Sequence, residues 1–325
     1  MLYTLRYMRG VNLRRLYAAV DLGATNVRAA YGDETGIEEK LTEKTDRGSA
    51  RGIADQAIRM IRALDIVEPA AIGVGSVGPI DLDTGCVVDP PNLPFERVPL
   101  VEPLSEAFHA PVRLMNDCSA AVLGEQAFGA GGGRENIVYV TLSTGLGGGA
   151  MVDGHLLVGK DGNAVEIGHL TIDPDSELVC GCGCRGHWEA YCSGRNIPNY
   201  ARLLMREKEA EGSALLEAAG GDLEGITAEA LFAAATEGDP LALWIVRRIG
   251  EINAVGFADI VNAYDPELVT LGGAIALRNP DLILKPIEEN IDRHLINRRP
   301  EIEMTPLGED VVLYGALALA MREDL

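Results

Sequence analysis

Two stretches far apart in this chain repeat one pattern. Ala-Val-Asp-Leu-Gly-Ala-Thr-Asn at 19–26 and Val-Thr-Leu-Ser-Thr-Gly-Leu-Gly at 140–147 both read as a strand, a small-residue turn and a return strand. Such a turn presents backbone N–H groups to an anion. Its recurrence implies a duplicated α/β architecture, two lobes around a cleft. A chain of 325 residues, 47% hydrophobic, is long enough to bury both cores.

Periodicity fills in the rest. The first lobe reads as a hairpin at 16–21 and 27–31, a strand near 37–42, a helix over 50–64, strands at 70–75 and 110–115, and a helix at 120–128. The second opens with strands at 136–142 and 148–152 and is then mostly helical. Helices are expected at 196–211, at 227–236 behind a capping threonine, from 240 to about 262, around 281–295 and at 311–321. Short strands are expected at 266–271 and 301–304. The expected division is an extension at 1–16, an N-terminal α/β lobe at 17–135 and a C-terminal α/β lobe at 136–325, whose final helix could pack back on the first.

The run from Glu166 to Glu189 carries the densest chemistry. Glu-Ile-Gly-His (166–169) is followed by Cys180-Gly-Cys182-Gly-Cys184-Arg-Gly-His187-Trp-Glu189. Closely spaced Cys-x-Cys pairs make strained disulfides, whereas thiols and imidazoles at this density suit a tetrahedral metal. Five donors compete for four positions, so Cys182 or Cys184 is the spare. Cys86 and Cys118 stand alone and read as small buried hydrophobes.

The duplicated turns are the candidate phosphate loops. Gly23, Ala24 and Thr25 are small enough to let amides approach phosphate oxygens, and Thr144-Gly145 offers the same from the second copy. Asp21 is placed to hold Mg²⁺ through water. Asn116-Asp117, between a strand end and a helix start, suits a helix cap or a general base. Two other glycine patterns are decoys. Gly73-x-Gly75-x-x-Gly78 runs into turn residues from Pro79 instead of opening a helix, and Gly154-x-x-x-x-Gly159-Lys160 has Asp161 where a metal-binding hydroxyl is needed.

The net charge is −21, from 49 acids and 28 bases, with only 5 lysines. That balance repels nucleic acid and anionic membranes and is expected to reflect adaptation to high salt. No run of about 18 apolar residues suggests a membrane span, and 1–16 is too broken by arginine for a signal peptide. A cytoplasmic protein is expected, as a homodimer or homotetramer, with a disordered extension or an early start codon at 1–16.

These motifs together resemble the ROK family of sugar kinases and sugar-responsive repressors, from about Tyr17 to Met321. The resemblance rests on Asp-Leu-Gly-Ala-Thr-Asn, Gly-Pro-Ile-Asp (78–81) with Pro-Asn-Leu-Pro (91–94), Asn-Asp, Ser-Thr-Gly-Leu-Gly-Gly-Gly, Glu-Ile-Gly-His and Cys-x-Cys-Gly-x-x-Gly-His-x-Glu. It implies an actin-like ATPase (ribonuclease H-like) fold and an ATP- and Mg²⁺-dependent hexokinase-type reaction, with glucose the expected sugar. Mannose, fructose, N-acetylmannosamine and N-acetylglucosamine are the alternatives. It further implies structural zinc on His169, Cys180, Cys182 and His187, and Asp117 as base. Sugar hydroxyls would fall on Gly78, Asn92, Asn116, Asp117, Glu166, His169 and Glu189. ATP would lie against Asp21, Gly23–Thr25 and Thr144-Gly145, with adenosine near Gly272-Gly273. Asn26 departs from the lysine carried by many members, and His187 replaces a frequent cysteine. A sugar-sensing repressor of this family would carry a DNA-binding segment ahead of the first strand, where only 16 acid-poor residues stand.

Overall fold

A computed structural model describes residues 14–64, 66, 68–206 and 213–323. The described chain forms two compact units, one of residues up to 114 together with 316 onward, the other of 115–315. Almost all of 1–16, and the end of the helix expected at 196–211, lie outside the described residues.

The first unit begins with β1 (Tyr17–Leu22), β2 (Asn26–Asp33) and β3 (Gly36–Lys44), then α1 (Ala50–Ala63) and β4 (Ile72–Ser76). Short strands β5 (Ile80–Asp81), β6 (Cys86–Val88) and β7 (Arg97–Pro99) pair as a separate three-stranded sheet, and α2 (Val101–Phe108) leads to β8 (Val112–Asn116). The main sheet has the order β3-β2-β1-β4-β8. β1 pairs antiparallel with β2 and parallel with β4, placing Leu22 opposite Ser76. Buried Val20, Leu22, Val74 and the α1 face of Ile53, Ala57 and Ile61 build its core. α2 was not legible from periodicity. It has eight residues and no side-chain cap, and it is held by burying Leu104 and Phe108.

The second unit repeats the layout. α3 (Asp117–Phe128) precedes β9 (Ile137–Leu142), β10 (Leu146–Val152) and β11 (His155–Leu156). Then come α4 (Glu189–Cys192), α5 (Ile197–Arg206), α6 (Ala214–Ala218), α7 (Ala228–Thr236), α8 (Pro240–Tyr264), β12 (Leu268–Gly272), α9 (Ala274–Arg278), α10 (Pro280–Asn290) and β13 (Glu301–Met304), while the final helix α11 (Val311–Met321) starts here and belongs to the first unit from residue 316. The sheet order is β11-β10-β9-β12-β13, with β10 antiparallel and β12 parallel to β9. One hairpin and one parallel neighbour thus recur in both sheets, as the repeated octapeptide predicts. The break in packing falls at 114/115, earlier than the expected 135/136, because α3 packs on β9 and β10. Gly149 permits that approach, since a Cβ there would lie 2.2 Å from the Cys118 carbonyl oxygen.

Caps fix the helix starts. Thr227 Oγ1 accepts the Ala230 N–H at 3.1 Å, and Asp239 Oδ1 accepts that of Ala242 at 2.8 Å, just before the N-terminal Pro240 of α8. The fully buried Trp188 packs against α8. Its indole N–H donates to Asn253 Oδ1 at 2.9 Å, and its ring meets Phe257 edge-on at 5.5 Å. The space it fills exists because residue 256 is glycine: a Cβ there would lie 2.3 Å from the indole.

Two stability predictions follow from this packing. Gly256→Ala should cost about 1–3 kcal/mol and lower the melting temperature by several degrees in thermal unfolding. Glu125, fully buried on α3, has its pKa raised mainly by burial, against hydrogen bonds from Thr305 and the Ala130 N–H. Its folded state holds the proton more tightly than the unfolded chain, so its contribution is present at low pH and lost as pH rises through the raised value. The difference in melting temperature, Glu125→Gln minus wild type, should therefore grow from pH 5 to pH 8.

Candidate functional site

In the first unit, the anticipated residues gather at the carboxyl ends of the parallel strands β1 and β4, where open α/β sheets present ligands. The Gly23 N–H donates to the Asn26 carbonyl at 3.0 Å, closing a turn in which Thr25 is exposed and Gly23 and Ala24 half-buried. Thr45 fastens that turn: its N–H donates to Thr25 O at 3.1 Å and its hydroxyl to Gly23 O at 2.7 Å. Gly78 follows β4 directly, and Asn92 lies between β6 and β7. Asp21 is buried, and its carboxylate accepts from the cross-strand Arg28 guanidinium at 2.8 Å. That ion pair is a partner that no local motif marks.

In the second unit, Thr144 and Gly145 occupy the equivalent turn after β9. Gly272 closes β12, and Gly273 precedes α9. Beside them is a cavity of about 820 Å³ lined by Ser143, Thr144, Arg195, Phe232, Ile275 and Asn279, among others. Its size is that of a small-molecule site. Gly272 and Gly273 are not in its wall, but the next residue, Ala274, is. No local signal marked Arg195 or Phe232, which reach the cavity from separate elements. Arg195 is attached by its own N–H, which donates to Thr144 O at 3.2 Å.

The start of α3 bears out the capping reading of Asn116-Asp117. Asn116 is the N-cap, its Oδ1 accepting the Cys118 N–H at 2.9 Å, and Asp117 Oδ1 accepts the same N–H at 2.8 Å. Capping and a chemical role are compatible, since a carboxylate at a helix N-terminus is held by the helix dipole. The buried Cys118 thiol is pushed well up by burial, then by the charges of Asp117 and Glu166. Those two carboxylates therefore share one neighbourhood.

Glu166 is aimed by strained backbone. Val165 has φ of 65°, a left-handed conformation rare for a β-branched residue, and Glu166 is the centre of an inverse γ-turn closed by Ile167 N–H to Val165 O at 2.7 Å. Burial raises the pKa of Glu166, an effect opposed by His169 and reinforced by Glu189.

The Cys/His loop is tied as a small hairpin. The Cys180 N–H donates to Cys184 O at 2.8 Å, the Gly183 N–H to Cys180 O at 2.9 Å, and Thr171 bridges His187. One ligand atom from each of His169, Cys180, Cys182 and His187 lies within 4.8 Å of the others, and Cys184 is outside this group. The two Nδ1 atoms are 3.3 Å apart, Cys182 Sγ is 3.3 Å from His187 Nδ1, and Cys180 Sγ is 3.6 Å from His169 Nδ1. A tetrahedral zinc site has ligand edges of roughly 3.3–3.8 Å, so the donor set fits that ion. Burial pushes the Cys180 thiol up to about 12, and a cation beside the sulfur would reverse that preference. His169 turns its other nitrogen, Nε2, toward Glu166 at 3.8 Å. Glu189 joins three features: Oε2 accepts the Leu146 N–H at 3.0 Å, beside the Thr144-Gly145 turn, while Oε1 accepts from the Cys180 thiol at 3.3 Å.

Comparison with known proteins agrees with this architecture. The ROK family model matches residues 17–323, and the chain belongs to the ROK family. A glucokinase of Pyrobaculum calidifontis is 41% identical over 306 residues, covering 94% of this chain and 95% of the relative. A ROK family glucokinase from Streptomyces griseus, solved in complex with glucose and AMPPNP, superposes with a TM-score of 0.78 at 32% identity, covering 94% of this chain and 99% of that one. A ROK hexokinase from Thermus thermophilus gives 0.79 at 32% identity, covering 94% and 97%. The duplicated sheets are thus those of the actin-like ATPase fold.

Proposed function

We propose that this ROK-family sugar kinase transfers the terminal phosphoryl group of ATP to the 6-hydroxyl of glucose. The single observation that carries the reading is the two-sided placement of His169, whose Nδ1 belongs to the four-donor group and whose Nε2 faces Glu166. An imidazole fixed through one nitrogen presents the other in a set orientation, as a sugar hydroxyl requires. The whole-length similarity to glucokinases supports glucose over the other hexoses.

His169, Cys180, Cys182 and His187 would hold zinc, which supplies a rigid anchor for the loop rather than chemistry on the substrate. Glu166, His169 and Glu189 hold ring hydroxyls, and Glu189 does so while fixing the Leu146 N–H, so its hydrogen bonds to sugar use its remaining lone pairs. Asn116 adds a sugar contact within the second unit, and Gly78 and Asn92 are the sugar-binding candidates of the first. Asp117 takes the proton of the attacking hydroxyl as it reaches phosphorus. Gly23–Thr25 in the first unit and Thr144-Gly145 in the second are each phosphate-binding turns, and the cavity beside Ala274 takes the adenosine. Magnesium, carried by the nucleotide, offsets phosphate charge; Asp21, engaged by Arg28, would meet it through water.

A coupled assay over a hexose panel, with ATP, ADP and polyphosphate as donors, tests the assignment. Turnover should be highest with glucose and ATP, and tight sugar binding without turnover on any hexose would refute the kinase. Asp117→Ala should abolish turnover while keeping glucose affinity within about tenfold. Metal analysis after mild purification should find one zinc per chain, with the zinc reduced in Cys182→Ser and retained in Cys184→Ser. Protein free of zinc would overturn the ligand set.

A further inference from the structure

Arg47 connects two segments of the first unit that the proposed kinase uses, and no motif marks it. Its Nη2 donates to Ala24 O at 3.2 Å and to Asn92 O at 3.0 Å. One nitrogen therefore bridges the Gly23–Thr25 turn and the Asn92 segment. The arginine is not a loosely held surface side chain at its base either. The preceding Thr45 is bonded twice to the turn, and the Asp46 N–H donates to Gln56 Oε1 at 2.9 Å on α1. The two residues before Arg47 thus tie its backbone to the turn and to α1.

Charge sets this residue apart. The turn at 23–26 holds no ionisable side chain. The other cation of the hairpin, Arg28, is paired with Asp21. Arg47 forms no ion pair among the described residues, and both of its acceptors are neutral peptide carbonyls. Those two bonds use Nη2 alone, so Nε and Nη1 keep their donors and the group keeps its full charge. In a chain of net charge −21, an anion-binding turn of neutral residues needs such a cation at close range.

We propose that Arg47 is the phosphate-binding cation of the first glycine turn, donating from Nε and Nη1 to the β- and γ-phosphates while its Nη2 keeps Asn92 in register with that turn. The inference rests on the kinase reading for its ligand, and on local geometry alone for its placement. It explains how a turn with Asn26 at its end, and no lysine, can hold a polyanion.

Equilibrium binding of adenosine, AMP, ADP and AMPPNP to the full chain tests it, with wild type, Arg47→Lys and Arg47→Gln compared without turnover. In Arg47→Gln, adenosine and AMP should bind within twofold of wild type while AMPPNP weakens about tenfold, and Arg47→Lys should recover most of that loss. Melting temperatures within 2 °C of wild type would show the fold intact. Equal weakening of all four ligands, or unchanged AMPPNP binding in Arg47→Gln, would overturn the proposal, the first by reducing Arg47 to a loop brace. A wild type that binds nucleotides but phosphorylates no hexose would refute the kinase reading and leave this ladder of affinities still readable. A wild type that binds none of the four would refute both.

Discussion

Three successive residues, His187, Trp188 and Glu189, join the core of the second unit to its chemistry. The indole is fully buried against α8, held by Asn253 and Phe257 and admitted by the missing Cβ at Gly256. Beside the fixed Trp188, His187 meets His169 and Cys182, and Glu189 meets Leu146 and Cys180. A burial worth roughly 3–5 kcal/mol if truncated thus supports a four-donor group, the Glu189 carboxylate and the turn after β9. The loop's own backbone hydrogen bonds shape its hairpin, and this anchor ties that hairpin to the core.

The repeated strand arrangement explains why ligands should gather where they do. In each sheet a hairpin strand runs parallel to one neighbour, β1 to β4 and β9 to β12, and in each the small-residue turn and the end of the parallel neighbour lie side by side. Backbone amides left unpaired at such strand ends are ready donors for phosphate. The two copies have since been equipped differently. The first keeps Asp21 in an ion pair and has Arg47 fastened across its turn; the second has Arg195 attached to its turn and a large cavity beside it.

Much of this was legible beforehand because it is local. Strands β1, β2, β9 and β10 follow from alternation broken by small residues, and α7 and α8 from Thr227 and Pro240 at their starts. The helix α2 was missed because eight residues give too little periodicity to read. Asn116-Asp117 suits a helix cap or a chemical role from its pattern, and the Asn116 side chain does cap α3. Helix capping and ligand binding use the same residue types at the same place, so sequence cannot separate them.

The sequence by itself determined the duplication, the donor types of the metal loop and the family, because each is a pattern of residue identity at short spacing. Only the tertiary structure decided that Asp21 is engaged by Arg28, that Glu189 holds the turn after β9, and that Arg47 bridges Ala24 and Asn92. Each of these is a contact between residues distant in sequence or on different loops. Its existence depends on strand register and on which side chain the core leaves room for, and neither is written in any single segment.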